Sequence, residues 1–237
     1  MELFRFIWDN VFVMDTFHAC LALGPVAVYL LLLGAINLSR RPFLVSGTRD
    51  ATALGLAVSG FMIVGPMKLF FPDAAAAHFG PFVWLLLLAF YGLCLVLVLL
   101  LLRPRLVIYN ISADQLRPIL AELVDQLDPN ARWAGDMLLL PGLGVQLHVN
   151  ELAWMRNVSL SSVGGDQNYL GWRRLELALG AALRRVEFGR NPRGISLVAA
   201  GTLIAAALVW AVARDPQAVA DALFDIGEAV CNMFRRE

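Results

Sequence analysis

Four long apolar runs constrain this chain more than any other feature of its sequence. They occupy residues 17–38, 51–72, 82–102 and 194–213, and each is close to the roughly 20 residues that cross a hydrocarbon core as a helix. Only 16% of the 237 residues are charged and 59% are hydrophobic, whereas a soluble domain is about a quarter charged. The sequence therefore predicts a polytopic α-helical membrane protein with four transmembrane helices, and it excludes a purely soluble or disordered chain.

The distribution of arginines predicts the orientation of these helices. Close to the ends of the four spans, nine arginines fall on one side of the membrane and three basic residues, Arg5, Lys68 and Arg214, on the other; the nine are Arg40, Arg41, Arg49, Arg103, Arg105, Arg184, Arg185, Arg190 and Arg193. Loops rich in basic residues stay in the cytoplasm. We therefore expect an integral protein of a plasma membrane or bacterial inner membrane, with both termini outside and residues 103–193 cytoplasmic.

This topology divides the chain into five segments. Two of them, at the chain ends, have the mixed apolar and charged pattern of helices that lie on a membrane or protein surface. In order, the expected segments are an outer interfacial amphipathic segment (1–16), transmembrane helices one to three (17–103), a cytoplasmic module (104–191), transmembrane helix four (194–213) and an outer amphipathic tail (214–237).

The cytoplasmic module shows both strand and helix periodicity. Alternating or continuous apolar residues indicate strands at 106–110, 137–140, 145–149 and 157–163. Apolar residues at helical spacing follow a capping box at Ser112, and a second such helix is expected over about 167–187. The predicted order is β-α-β-β-β-α, an α+β fold in which two helices cover one face of a sheet.

The spans contain little that could perform chemistry. Lys68 is the one charged residue in any of the four runs, and none holds a carboxylate, which argues against a proton relay or an ion-coupled carrier. Cys20, Cys94 and Cys231 are far apart in sequence, so no disulfide framework is predicted. We expect no catalytic residues, no metal site, no cofactor and, at zero net charge, no nucleic-acid partner.

Tryptophan and arginine residues make the module's most distinctive pattern. Both types are enriched at protein interfaces, and near a bilayer they also sit at lipid headgroups. The alternative is that the tryptophans are core residues and the arginines are solvated. The candidate interface consists of Trp133, Trp154, Arg156, Trp172, Arg173 and Arg174.

A candidate outer pocket is predicted from two helix-breaking dipeptides. Pro25 and Pro66 each follow a glycine at similar depth in the first and second runs, and Lys68 lies beside the second. Kinks at matched depth open space between helices, which could admit a small ligand or a lipid. The plainer interpretation is that the prolines only bend their helices and that Lys68 snorkels to the interface.

These observations favour a non-enzymatic membrane subunit or scaffold whose module binds a protein partner or a second copy of the chain. The alternative is a membrane sensor or regulator that uses the outer pocket, and a membrane enzyme or small transporter comes third. Three N-x-S triplets, at Asn37, Asn110 and Asn157, match a glycosylation signal, but this topology places none of them in an outer loop.

Overall fold

The computed structural model describes residues 16–67, 82–165, 167–189, 191–217 and 219–221, with residues 224, 227, 228 and 231. The predicted outer segment at 1–16 lies outside the described residues except for Thr16. The predicted tail at 214–237 lies partly outside them.

The chain forms two compact units. One comprises residues 1–31, 54–98 and 199–237, and the other comprises residues 32–53 and 99–198. The main α-helices are α1 (Thr16–Leu38), α2 (Gly47–Met62), α3 (Phe82–Leu101), α4 (Ala113–Leu127), α5 (Tyr169–Leu183) and α6 (Arg193–Arg214).

The second unit is built on a six-stranded antiparallel sheet. Its strands are β1 (Phe43–Ser46), β2 (Arg105–Tyr109), β3 (Arg132–Ala134), β4 (Met137–Leu140), β5 (Val145–Leu152) and β6 (Asn157–Ser162). In space they follow the order β1-β2-β6-β5-β4-β3, and each neighbouring pair is antiparallel. The sheet therefore brings the short strand β1 beside a strand that follows it by almost sixty positions, Phe43 opposite Tyr109.

Helices α4 and α5 share one hydrophobic core with one face of the sheet. Alternate strand residues point into this core because successive side chains of a strand face opposite ways. The fully buried members include Ile108, Leu147 and Leu160 from the strands, Leu116, Leu120 and Val124 from α4, and Leu175, Leu179 and Leu183 from α5. This arrangement confirms the predicted α+β module with helices on a sheet.

Two strands of the sheet were not predicted, so the expected β-α-β-β-β-α order is incomplete. β1 has four residues and comes from the loop after α1, outside the expected module at 104–191, and β3 has three residues. β3 is shorter than the roughly four to eight residues of a recognisable strand, and β1 follows a helix with no strand next to it in sequence to pair with. Both strands depend on pairing with β2 and β4 respectively, which the sequence does not reveal.

Within the part of the chain that the structure describes, two helices are long and apolar enough to cross a membrane by length and composition, namely α1 and α6. They match the first and fourth predicted runs. α3 contains a shorter apolar helical stretch, Leu85–Leu101, which does not reach the length of a candidate span. The second predicted run begins within α2 and continues into a π-helical segment, Ile63–Met67. The prediction of four transmembrane helices is thus not confirmed as a whole.

Close backbone approaches join several of these helices in pairs. A methyl group on Gly60 of α2 would overlap the carbonyl oxygen of Leu21 in α1. On Gly194 of α6, a methyl group would lie 3.1 Å from the carbonyl oxygen of Gly34 in α1. The hydroxyl of Tyr91 in α3 donates to the carbonyl of Gly55 in α2 at 2.7 Å. Small residues and interhelical hydrogen bonds of this kind hold helices together in lipid.

Candidate functional site

Four buried asparagines mark the place where helix ends meet the sheet in the second unit. Asn37 lies near the end of α1, Asn110 follows β2, Asn157 begins β6 and Asn191 precedes α6. Their exposed fractions are 0%, 0%, 8% and 1% respectively. A buried amide costs free energy unless it is hydrogen-bonded, and the hydrogen bonds of Asn37, Asn110 and Asn191 join several segments at this place, which we call the asparagine junction together with Asn157.

Asn191 connects three separate segments. Its side-chain Nδ2 donates to the carbonyl of Met155 at 2.8 Å and to Asn37 Oδ1 at 3.3 Å. Its backbone N–H donates to the carbonyl of Asn37 at 3.2 Å, and its Oδ1 accepts from the backbone N–H of Arg193 at 3.2 Å. The start of α6 is thereby tied to the end of α1 and to the connection between β5 and β6.

Asn110 ties β2 to the residue that follows α1. Its φ of 62° lies in the left-handed region, which asparagine tolerates better than most residues. This conformation lets Nδ2 donate to the carbonyl of Ser39 at 2.5 Å. Within the described part of the chain its buried Oδ1 has no hydrogen-bond partner.

Arg156 holds the same region from the side of α4. It is the second non-glycine residue with positive φ, 52°. Its guanidinium donates to the carbonyl of Gly189 at 3.3 Å and to Gln115 Oε1 at 3.1 Å, and its own carbonyl accepts from the N–H of Ile111 at 2.8 Å. This predicted interface residue therefore cross-links three chain segments of the unit.

The turn between β5 and β6 carries an exposed aromatic side chain. Residues Ala153–Met155 form one 3-10 turn, in which Trp154 is 60% exposed, and the preceding Leu152 is 49% exposed. The guanidinium of Arg193, the first residue of α6, donates to the carbonyl of Ala153 at 3.3 Å. The exposed apolar turn thus lies directly beside the start of α6.

The outer face of α5 combines apolar and basic side chains. Leu170 is 71% exposed and Leu177 is 68% exposed, and the exposed Arg173 and Arg174 lie between them. Residues at i, i+3, i+4 and i+7 share one helix face, so these four form a continuous surface, which we call the α5 ridge. Beside it a groove of about 410 Å³ runs between α4 and α5, lined by apolar side chains such as Leu123 and Ala181 and flanked by Glu122 and Arg185.

The predicted tryptophan and arginine residues do not form one surface. Trp172 is 5% exposed and belongs to the core, where its Nε1 donates to Gln167 Oε1 at 2.8 Å. Trp133 lies on the edge strand β3 and is 39% exposed, whereas Trp154 lies in the turn after β5. Among the six candidates, Arg173 and Arg174 are neighbours on the α5 ridge.

Of the predicted outer pocket, the described residues contain only part. Pro25 lies inside α1, and Pro66 lies in the π-helical segment that follows α2. Lys68 lies outside the described residues. The pocket accordingly stays a prediction.

The described residues contain no group of three or more His, Cys, Asp and Glu side chains arranged to hold a metal ion. His148 lies on the sheet face opposite the helices, directly across from Ser161, whose hydroxyl accepts from Asn150 Nδ2 at 2.7 Å. Asp136, which could have oriented His148, instead pairs with Arg117. Asp136 is therefore not the residue that orients His148.

The sequence did not predict the asparagine junction, although three of its residues stand out in the sequence as possible glycosylation sites. Three of its four members, Asn37, Asn110 and Asn157, head the N-x-S triplets. A glycosylation signal implies surface exposure, so the motif pointed away from the buried role. The one usable signal was position, because Asn37 and Asn191 each lie at the end of a predicted span.

Comparison of the chain with protein-family models, with curated proteins and with solved structures finds no match.

Proposed function

We propose that this protein is a non-enzymatic integral membrane scaffold with four transmembrane helices and a cytoplasmic α+β module that binds a protein partner. The observation that carries the proposal is the α5 ridge, a solvent-exposed apolar and basic surface on a module that is joined to two apolar helices. The proposal has three parts, which are the membrane spans, their number and the binding surface.

The exposure of α1 and α6 supports membrane insertion. Only 17% and 6% of their most apolar windows are buried within the protein, so neither is the core helix of a soluble domain. The 22 residues of α6 extend about 33 Å at 1.5 Å per residue, which is enough for a hydrocarbon core of about 30 Å. Arg193 and Arg214 bound this helix, and the guanidinium of Arg214 lies 3.8 Å from the ring centre of Trp210. Charged and aromatic residues at both ends are typical of a span.

The sheet itself constrains the number of spans. Because β1 pairs with β2, the residues before α2 and after α3 lie on the same side of any membrane. The chain between Ser46 and Arg105 therefore crosses it an even number of times. α3 exposes leucines such as Leu93 at 70% and Leu100 at 77%, which favours lipid around it, so the region of α2 must then cross as well. This reasoning favours four spans.

The chemistry of the α5 ridge indicates the kind of partner. Leu170 and Leu177 are about 70% exposed and lie two turns apart on one helix face, the spacing at which apolar anchors of a helix dock in a partner. Arg173, Arg174 and Arg185 surround them with positive charge. The surface is complementary to an amphipathic partner segment that presents apolar and acidic side chains.

Site-directed photocrosslinking in intact membranes of the source organism tests the ridge. We expect a photoreactive amino acid at Leu177 to give a discrete protein adduct, whereas the same group at the exposed Asp114 of α4 gives none. Leu170→Glu should abolish the adduct at position 177, because it introduces an acidic group where an acidic partner docks. Equal labelling at positions 114 and 177, or an adduct unaffected by Leu170→Glu, would show that the ridge is not the binding surface.

A second candidate function is that of a membrane sensor with a ligand or lipid pocket near Pro25, Pro66 and Lys68. One observation favours it, since the π-helical turns that interrupt α-helices occur often at functional sites and Pro66 lies in such a segment. A pocket ligand should raise the unfolding temperature of the unaltered protein but not that of Lys68→Met. The same rise in both would exclude Lys68 from a ligand site.

A further inference from the structure

We propose that residues 152–155, which we call the anchor turn, form a phospholipid-binding surface that inserts Trp154 into the headgroup region beside the start of α6. This inference rests on the proposed insertion of α6 in a membrane. It concerns a different surface from the α5 ridge and a different ligand, lipid instead of protein.

The position of the anchor turn follows from its hydrogen bonds. The carbonyl of Ala153 accepts from Arg193 at 3.3 Å and the carbonyl of Met155 accepts from Asn191 at 2.8 Å. The apolar run of α6 begins immediately after Arg193, so in an inserted α6 this arginine lies at the level of the headgroups. Because the turn is one hydrogen bond away, it lies at the same depth.

The side chains of the anchor turn suit that depth. Trp154 and Leu152 expose 60% and 49% of their surface, while Met155 is buried beneath them and fixes the backbone of the turn. Transfer of these exposed apolar side chains into the boundary layer is favourable because it removes apolar surface from water. Tryptophan is the residue most suited to the boundary, since its ring enters the apolar layer while Nε1 meets the polar one.

Two exposed arginines at the asparagine junction, one of them bonded to the anchor turn, indicate the class of lipid. Arg193 and Arg40 are both exposed, and Arg40 lies close to Asn37, whose carbonyl accepts from the N–H of Asn191 at 3.2 Å. Arginine side chains close to a bilayer surface are attracted to anionic lipids. The surface is therefore matched to phospholipids with anionic headgroups.

Spin labelling of the full chain in mixed phosphatidylcholine and phosphatidylglycerol vesicles tests this proposal. In a background without the three native cysteines, a nitroxide is attached in turn at Trp154→Cys, Leu152→Cys, Trp133→Cys and Val209→Cys. Collision rates with oxygen, which concentrates in lipid, and with a water-soluble nickel chelate are then compared. Trp133 is the matched control because it is an exposed tryptophan on the edge strand β3, and Val209 reports on α6.

We expect the oxygen-to-nickel ratio at positions 152 and 154 to be severalfold higher than at position 133, and highest at position 209. Position 152 decides the matter alone where the Trp154 variant does not fold, because it retains the tryptophan. A high oxygen-to-nickel ratio at position 209 with low ratios at positions 152 and 154 would overturn the proposed lipid contact of the anchor turn and leave the membrane proposal standing. Labels at 152 and 154 shielded from both reagents would overturn it in favour of a protein contact. A water value at 209 would overturn the membrane proposal and the anchor turn together.

Discussion

Asn191 shows, at the scale of a single residue, how one side chain can join three segments of a chain. Its amide satisfies the carbonyl of Met155 and the amide of Asn37, and its Oδ1 caps the start of α6. Hydrophobic burial could not replace these bonds, because the partner groups are themselves polar and buried. A movement of α1 or α6 would therefore displace the hydrogen bonds of Asn191 and, through Met155, the connection between β5 and β6.

We expect Asn191→Ala to lower the free energy of unfolding by about 2–3 kcal/mol, since it leaves buried polar groups unpaired and removes a helix cap. Thermal unfolding in detergent micelles would show a lower midpoint. The matched control is Asn130→Ala, because Asn130 is exposed and bonds to Asp128 through its backbone N–H, which the substitution keeps. Similar midpoints for the two variants would contradict the junction's structural role.

Trp172 illustrates the limit of reading residue type as function. Sequence placed it in an interface, but its ring is buried between α5 and the sheet. We expect Trp172→Ala to destabilise the protein by about 3–5 kcal/mol, as other large-to-small core substitutions do, whereas Trp133→Ala should cost far less because Trp133 is 39% exposed. Denaturant unfolding monitored by circular dichroism compares the two, and an equal cost would contradict the core assignment.

At the scale of elements, the local apolar pattern decided what the sequence could predict. The helices α1, α4, α5 and α6 and the strands β2, β4, β5 and β6 were predictable because each is a continuous apolar run or an apolar repeat within its own segment. β1 and β3 were not, since they exist through pairing with a neighbour. The asparagine junction was also beyond prediction, because whether a polar side chain is buried depends on tertiary partners that no local pattern encodes.

The contact between α1 and α2 gives a sharp prediction at this scale. Gly60→Ala should lower stability, because the added methyl group overlaps the backbone carbonyl of Leu21 and a backbone cannot rotate away. Gly92→Ala in α3 is the matched control, since nothing lies within 4 Å of its added carbon. There the better helix propensity of alanine should stabilise by up to about 1 kcal/mol. Thermal midpoints of both variants measure the difference, and a destabilising effect at Gly92 equal to that at Gly60 would refute the close contact.

For the whole molecule, the pairing of β1 with β2 has a consequence that hydropathy alone does not supply. Hydropathy predicts each span separately, so an error in one predicted span does not affect the others. A sheet assembled from residues on both sides of the α2 and α3 region removes that independence, because it allows only zero or two crossings there. The pairing of β1 with β2 and the number of spans therefore depend on each other, and one labelling experiment can test both.

Cysteine accessibility in sealed vesicles provides that test. In a background without native cysteines, we expect Thr48→Cys and Asn130→Cys to react with a membrane-impermeant thiol reagent from the same side, because both belong to the sheet-containing unit. Asp73→Cys and Gln217→Cys should react only from the opposite side, since four spans place residue 73 and the end of α6 there. Labelling of Asp73→Cys from the same side as Asn130→Cys would mean that neither α2 nor α3 crosses. Opposite labelling of Thr48→Cys and Asn130→Cys would contradict the sheet itself, because residues 43–46 and 105–109 cannot pair through a bilayer whose core is about 30 Å thick.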